Sequence, residues 1–160
     1  MADLVVTITE AVTLNGASRG SSNALTITGV DDIYHRIITC PDDVPVTVAN
    51  FHSTTGVSDS SLDVENVKYI RVTNLEASNP VILDLQIETT ENDSAADDQG
   101  AFLLEAGKSF MMGSPSDGIV VNSGGATPIT ALSSLVNLES IIVDPLSEAC
   151  KVEVFIASVV

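Results

Sequence analysis

Val81, Leu83, Leu85 and Ile87 alternate one for one with Ile82, Asp84, Gln86 and Glu88, and the same two-residue beat returns in short runs along the whole chain. Near the C-terminus Val152, Val154 and Ile156 alternate with Lys151 and Glu153. Successive side chains of a strand point to opposite faces, so a period of two marks a strand with one face on a core. Turn residues separate these runs, and no run of convincing helical period intervenes. Strands joined by turns without helices leave an antiparallel β-sandwich, jelly-roll-like, as the expected all-β fold.

The remaining strands are read in the same way. Leu4, Val6, Ile8, Val12 and Leu14 share one face, with Thr7, Thr9 and Thr13 opposite. Glu10 interrupts that apolar face, which predicts a bulge there or a carboxylate at an interface. Asn15-Gly16 closes the strand, and the Ser/Gly-rich residues 17–23 read as a loop. Further strands are expected at Leu25-Thr26-Ile27, Ile33 to Thr39, Val44 to Phe51 and Val67 to Thr73, with an exposed loop over residues 53–63. Ala101 to Leu104 and Ser109 to Met112 flank Glu105-Ala106-Gly107-Lys108, a pattern that predicts a hairpin with Gly107 at positive φ. Residues 113–130 form a long Gly, Ser and Pro loop, Ala131 to Leu138 has room for a helical turn, and Leu138 to Val143 returns to strand. The total is roughly nine or ten strands. There is no internal repeat and no dividing linker, so residues 1–160 are expected to form a single β-sandwich domain.

The chain carries 22 acidic against 6 basic side chains, a formal net charge of −16. Such a surface repels phosphate backbones and anionic bilayers, which argues against nucleic-acid and membrane partners and favours solubility in many copies. Met1-Ala2-Asp3 leads straight into a strand pattern without a basic n-region, so no secretory leader is expected. No apolar run approaches the roughly 18 residues of a membrane span. Cys40 and Cys150 are the only cysteines, and they predict two buried thiols of a chain folded in a reducing cytoplasm. One long-range disulfide is the alternative.

Motifs with chemistry are few. Gly16-Ala17-Ser18-Arg19-Gly20 fits the nucleophile-elbow pattern, but an elbow needs a strand, a turn and then a helix, and a strand follows here. His35 and His52, the only histidines, lie in no zinc-binding spacing; His35 is expected partly buried in its strand and His52 solvated at a strand end. Glu91-Asn92-Asp93-Ser94, Asp97-Asp98, Asp59 and Asp63 crowd oxygen ligands as a calcium site does, without an EF-hand spacing, so solvated acidic loops are the plainer reading. Asn92-Asp93-Ser94 is a formal glycosylation sequon, which matters only in a secreted chain. There is no Walker or dinucleotide motif. With no Trp, and only 4 Phe and 2 Tyr, the chain lacks the aromatic platforms of sugar-binding sites, which lowers the hydrolase and lectin readings. No catalytic, cofactor-binding or metal residues are assigned, no cofactor is expected, and the chain is read as not an enzyme.

The informative feature is apolar surplus. Val5 beside Val6, Ile82 beside Leu83 and Ile141 beside Ile142 put apolar side chains on both faces of their strands. A small sandwich buries one face per sheet, so the surplus needs a cover: a loop or helix folded over the sheet is the plain one, and the absence of helices favours a subunit interface, with a cyclic homo-oligomer, a trimer, as the expected form.

The order of several segments resembles a known group. Val6-Thr7-Ile8-Thr9-Glu10-Ala11-Val12-Thr13-Leu14-Asn15-Gly16 is similar to its opening strand, and Val67-Lys68-Tyr69-Ile70-Arg71-Val72-Thr73-Asn74-Leu75 with Asn79-Pro80-Val81 to its central strands. Leu104-Glu105-Ala106-Gly107-Lys108-Ser109-Phe110 and Val152-Glu153-Val154-Phe155-Ile156-Ala157 resemble its hairpin and closing strand. The group is the small virion structural proteins of tailed bacteriophages, particularly those of cyanobacteria and other aquatic bacteria. The resemblance implies a β-sandwich virion component without enzymatic activity, made in the host cytoplasm. Capsid decoration or cement is the favoured role, on the capsid exterior against the phage major capsid protein, with the N-terminal strand adding to a neighbour's sheet edge. A tail or fibre component that binds the host surface through residues 53–63, 91–100 and 113–130 is the alternative.

Overall fold

The computed structural model describes residues 1–52, 61–87, 98–119 and 135–160. The strands in chain order are β1 Ala2–Thr9, β2 Thr13–Leu14, β3 Ala17–Ser18, β4 Ser22–Val30, β5 Asp32–Cys40, β6 Val46–His52 and β7 Leu62–Asp63, followed by β8 Val67–Asn74, β9 Val81–Ile87, β10 Asp98–Leu104, β11 Ser109–Gly113, β12 Leu138–Asp144 and β13 Cys150–Ser158. Five of them form one sheet in the order β10-β9-β12-β6-β7, and four form a second in the order β11-β8-β13-β5. All neighbours are antiparallel except the short β6–β7 pair. The two sheets pack face to face, which is the expected β-sandwich.

The alternation read from the sequence builds the core. Val152, Val154 and Ile156 of β13 and Ile70 and Val72 of β8 point inward from the four-stranded sheet. Val81 and Leu83 of β9, Ile141 and Val143 of β12 and Phe51 of β6 meet them from the five-stranded sheet. The phenol of Tyr34 on β5 donates to the Val48 carbonyl of β6 at 3.3 Å, one polar tie between the layers. Between β5 and β13 the chain crosses repeatedly from one sheet to the other. β5, β8, β11 and β13 fall in the four-stranded sheet, and β6, β9, β10 and β12 in the five-stranded one.

The segment expected to be a hairpin at 101–112 is one of these crossings. β10 pairs with β9, whereas β11 pairs with β8 in the opposite sheet. Gly107 does take positive φ, at 69°. The turn closes on itself through Lys108 N to Glu105 O at 3.1 Å, and it is then captured by β8, with Gly107 N donating to Asn74 O at 3.1 Å and Asn74 N to Lys108 O at 3.0 Å. Those bonds aim the chain at the second sheet instead of back along β10.

The largest departure from expectation lies at the N-terminus. β1 and β4 make a two-stranded sheet of their own, and β2 and β3 extend it to its tip. Asn15 at φ 52° and Gly16 at φ 77° form the two-residue turn, with Leu14 opposite Ala17, as Asn-Gly sequences favour. Residues 17–23 are thus largely the return strand and not a loop. No bulge falls at Glu10. Thr9 faces Ser22 and Thr13 faces Ser18, so both sides advance equally, and Glu10 accepts a hydrogen bond from the Ser21 hydroxyl. The irregularity sits at the root, where Ala2 and Leu4 face Val30 and Ile27 and β4 carries one residue more, with Gly29 at φ 75°. The segment around 131–134 lies outside the described residues, while Val136 bridges Ile119 in extended backbone.

Candidate functional site

The outer face of the four-stranded sheet carries the residues with chemistry. On β8 the outward positions are Tyr69, Arg71 and Thr73, and on β13 they are Glu153, Phe155 and Ala157. Register sets Arg71 beside Phe155 and Phe155 beside His35 of β5. A hydrogen-bonded row crosses all four strands. His35 Nε2 donates to Glu153 Oε1 at 2.8 Å, and Arg71 Nη1 donates to Glu153 Oε2 at 2.7 Å. The same nitrogen reaches Thr73 Oγ1 at 2.6 Å, and that hydroxyl shares a hydrogen bond of 2.8 Å with Ser109 of β11.

Hydrogen bonds from Arg71 first, and from His35 second, hold the Glu153 carboxyl below its ordinary range. The Phe155 ring fills the space between these groups. The Arg71 guanidinium lies 5.9 Å from its centroid, the His35 ring 5.7 Å and the Tyr69 ring 6.2 Å edge-on. In this row the imidazole meets the carboxylate and the hydroxyls meet the guanidinium. Among the described residues the histidine's side-chain partner is the carboxylate and not a hydroxyl. The arrangement stitches four strands into one rigid face.

Over one end of that face lies the root of the N-terminal hairpin. Leu4, Val6 and Ile27 pack on Tyr69, Ala157 and Val30, leaving Tyr69 and Ala157 buried although they point outward. Beyond the root the hairpin leaves the body, and every residue from Thr7 to Thr26 is exposed. Where it passes β11, Val6, Ile8 and Leu25 form a cleft of about 270 Å³ with Tyr69, Met111 and Met112. The underside of the hairpin stays apolar past that point, with Val12 and Leu14 exposed. At the opposite edge of the same face, β5 exposes Ile33 and Ile37, the latter at 63%. Val5 is exposed on the upper side of the hairpin, as an apolar surplus predicts, while Ile82 and Ile142 are half-buried on the outer face of the other sheet.

The other sequence candidates are dispersed. Ser18 of the elbow-like pattern pairs with Thr13 near the hairpin tip and no helix follows it. His52 ends β6, where its carbonyl accepts from Val64 N at 3.0 Å. Asp63 is engaged in a local turn, accepting from Glu65 N and Asn66 Nδ2, each at 3.1 Å. Asp59, residues 91–94 and Asp97 lie outside the described residues, as do most of the proposed contact loops. Among the described residues no three His, Cys, Asp or Glu side chains gather as a metal-ligand set. Cys40 and Cys150 are both buried and free, and they face each other across β5 and β13.

The Arg71–Glu153–His35 row was not singled out in the sequence. Its signal was present as charged residues at outward positions of two alternating strands, but the partnership of residues 82 and 118 apart in the chain is set by register alone. Comparison with known proteins gives no match to a family model, a curated protein or a solved structure.

Proposed function

We propose that this chain is a non-enzymatic structural protein of a tailed-bacteriophage particle, a capsid decoration or cement protein. In this reading it sits on the exterior of the shell, binds the major capsid protein and works as a homo-oligomer, with a trimer as the expected form. The observation that carries the reading is the hairpin arm. A two-stranded hairpin alone in water is marginal, and this one exposes Val5, Ile8, Val12, Leu14 and Leu25. Such an arm gains its stability by lying on a neighbour, which is what a protein that ties subunits together requires.

The connectivity of the body supports the same reading by analogy. Eight strands, β5, β6 and β8 to β13, change sheet at every step except β9 to β10, in the orders β11-β8-β13-β5 and β10-β9-β12-β6. We read this connectivity as jelly-roll-like, an architecture frequent in viral shells and also in lectins. The resemblance of the opening, central and closing strands to phage virion proteins points the same way.

The test is the copy number of the chain relative to the major shell protein in purified particles. Hundreds of copies following the shell lattice are expected. A handful would move the protein to the tail or a fibre, with host-surface binding as its role, and complete absence would sink the structural reading.

A further inference from the structure

We propose that Cys40 and Cys150 are a latent cross-strand disulfide, two thiols that the fold sets in register for reversible oxidation to a single bond. They are direct partners in the β5–β13 ladder, Cys40 as the last residue of β5 and Cys150 as the first of β13. Both are free, and both are buried in the core between the sheets. Residues directly opposite in an antiparallel ladder have Cα atoms about 4.5–5.5 Å apart, inside the span of about 4.4–6.8 Å that a disulfide bridges. The thiols also lie close enough to perturb one another. Closing the bond asks the two Cβ atoms to approach by about 1 Å, which strand ends give more readily than ladder interiors.

The pair sits where a bond has something to hold. β5 is the edge of its sheet, with β13 as its one neighbour among the described residues. Cys40 is the only buried residue of that strand, helped by Tyr34 and Ile38, which are half-buried against the core. β5 is also the strand from which the N-terminal hairpin leaves the body, since β4 ends at Val30 and β5 begins at Asp32. A bond from Cys40 to Cys150 fixes the register of β5 on β13 and closes a loop of about 110 residues that holds β6 to β12. Such a loop restricts the unfolded chain far more than the folded one, where the two residues already face each other.

The oxidant is a small disulfide of the glutathione class. One cysteine thiolate attacks it, a mixed disulfide forms, and one glutathione thiolate leaves. The second cysteine thiolate then attacks the protein sulfur of that mixed disulfide and expels the other glutathione. Two protein thiols and one small disulfide thus become one protein disulfide and two small thiols, with two electrons and two protons passed to the glutathione. Burial gates the exchange. With Cys40 and Cys150 at 0% and 1% exposure, a small molecule reaches either sulfur only when the end of β5 opens. In a reducing medium the pair stays as thiols, and in an oxidising one each opening of the edge strand is a chance to close the bond.

The experiment is to unfold the purified full chain in urea and refold it in equal concentrations of oxidised and reduced glutathione. Remaining thiols are then alkylated and the peptides mapped by mass spectrometry without reduction. The Cys40 and Cys150 peptides of one chain should be found linked, without glutathione adducts. The urea midpoint of the oxidised chain, read by circular dichroism, should lie above that of the reduced chain and return to it with dithiothreitol. Native chain placed in the same mixture should reach the same product at least about tenfold more slowly, because opening must come first. These readouts are taken on the wild type, and Cys40→Ala serves as the control whose midpoint ignores the mixture. Two thiols that persist at equilibrium, glutathione adducts on either cysteine, a bond between two chains, or an oxidised chain with a lower midpoint would overturn the inference. So would a native chain that oxidises as fast as a refolding one. The particle copy number is read separately, and failure of either result leaves the other standing.

Discussion

Arg71 reaches diagonally across the β8–β13 ladder to Glu153, Nη1 to Oε2 at 2.7 Å, although the residue directly opposite Glu153 is Thr73. Phe155 lies opposite Arg71, and the guanidinium passes over its ring on the way. The carboxylate is left with a donor on each oxygen, one from β8 and one from β5.

That pairing makes part of the stability pH-dependent on the acid side. The Glu153 pKa is lowered in the folded chain, so its contribution is complete above the unfolded value of 4.5 and is lost as pH falls through the lowered folded value. Glu153→Gln should cost about 1 kcal/mol at neutral pH, the upper range for a pair of this exposure. Urea midpoints of wild type and variant should converge as the pH is taken below 4, read by circular dichroism. A gap that stays constant to pH 3 would show that the carboxylate charge contributes nothing.

Cys40 and Cys150 set a second dependence, on the alkaline side. Burial, reinforced by the neighbouring Cys150, pushes the Cys40 thiol up to about 12, and burial raises Cys150 as well. Both thiols stay protonated in the folded chain at pH 8, so iodoacetamide should label them slowly until urea unfolds the protein. A raised folded pKa means that stability is full below the unfolded value of 9.0 and falls as pH rises from there toward about 12. Cys40→Ala should flatten that alkaline decline, measured as the denaturant midpoint at pH 7.5 and 10. Fast labelling of the native chain would contradict the burial of the pair.

Among the described residues Phe51 is the largest fully buried side chain, placed on β6 between the layers. Phe51→Ala should destabilise the domain by about 3–5 kcal/mol, through lost transfer energy and the cavity left behind. Phe51→Leu should cost markedly less, since most of the volume is kept. Equal costs for the two, by equilibrium unfolding, would mean that the site does not pack as described.

How far the chain could be read depended on whether a core imposed a pattern. β9 and β13 bury one face each, and their alternation was legible residue by residue. Asn15-Gly16 was legible too, because positive φ at two successive residues demands that chemistry. Residues 17–23 were read as a loop because the return strand is exposed on both faces there, so nothing selects an alternation. The 105–108 turn misled for another reason. Its residues suit a hairpin and a corner between sheets equally, and what decides is the Asn74 backbone, distant in sequence. The outward positions of Arg71 and Glu153 could be read, but not their contact.

Asn74 gives the sharpest test of that corner. It is fully buried at the end of β8, where its Nδ2 donates to Asn79 O at 2.8 Å and Leu104 O at 3.2 Å, and its Oδ1 accepts from Glu76 N at 3.0 Å. One amide thus satisfies three backbone groups from the end of β10 and the β8–β9 connection. Asn74→Ala strands all three, and should cost about 2–4 kcal/mol. Asn74→Asp is nearly the same size, but it sets a carboxylate oxygen against two carbonyl acceptors and adds a buried charge, so it should cost more than the alanine. The order of the two variants in urea unfolding is the decisive readout. An aspartate tolerated as well as asparagine would mean that water reaches the corner, and that shape alone, without hydrogen bonding, turns the chain from one sheet to the other.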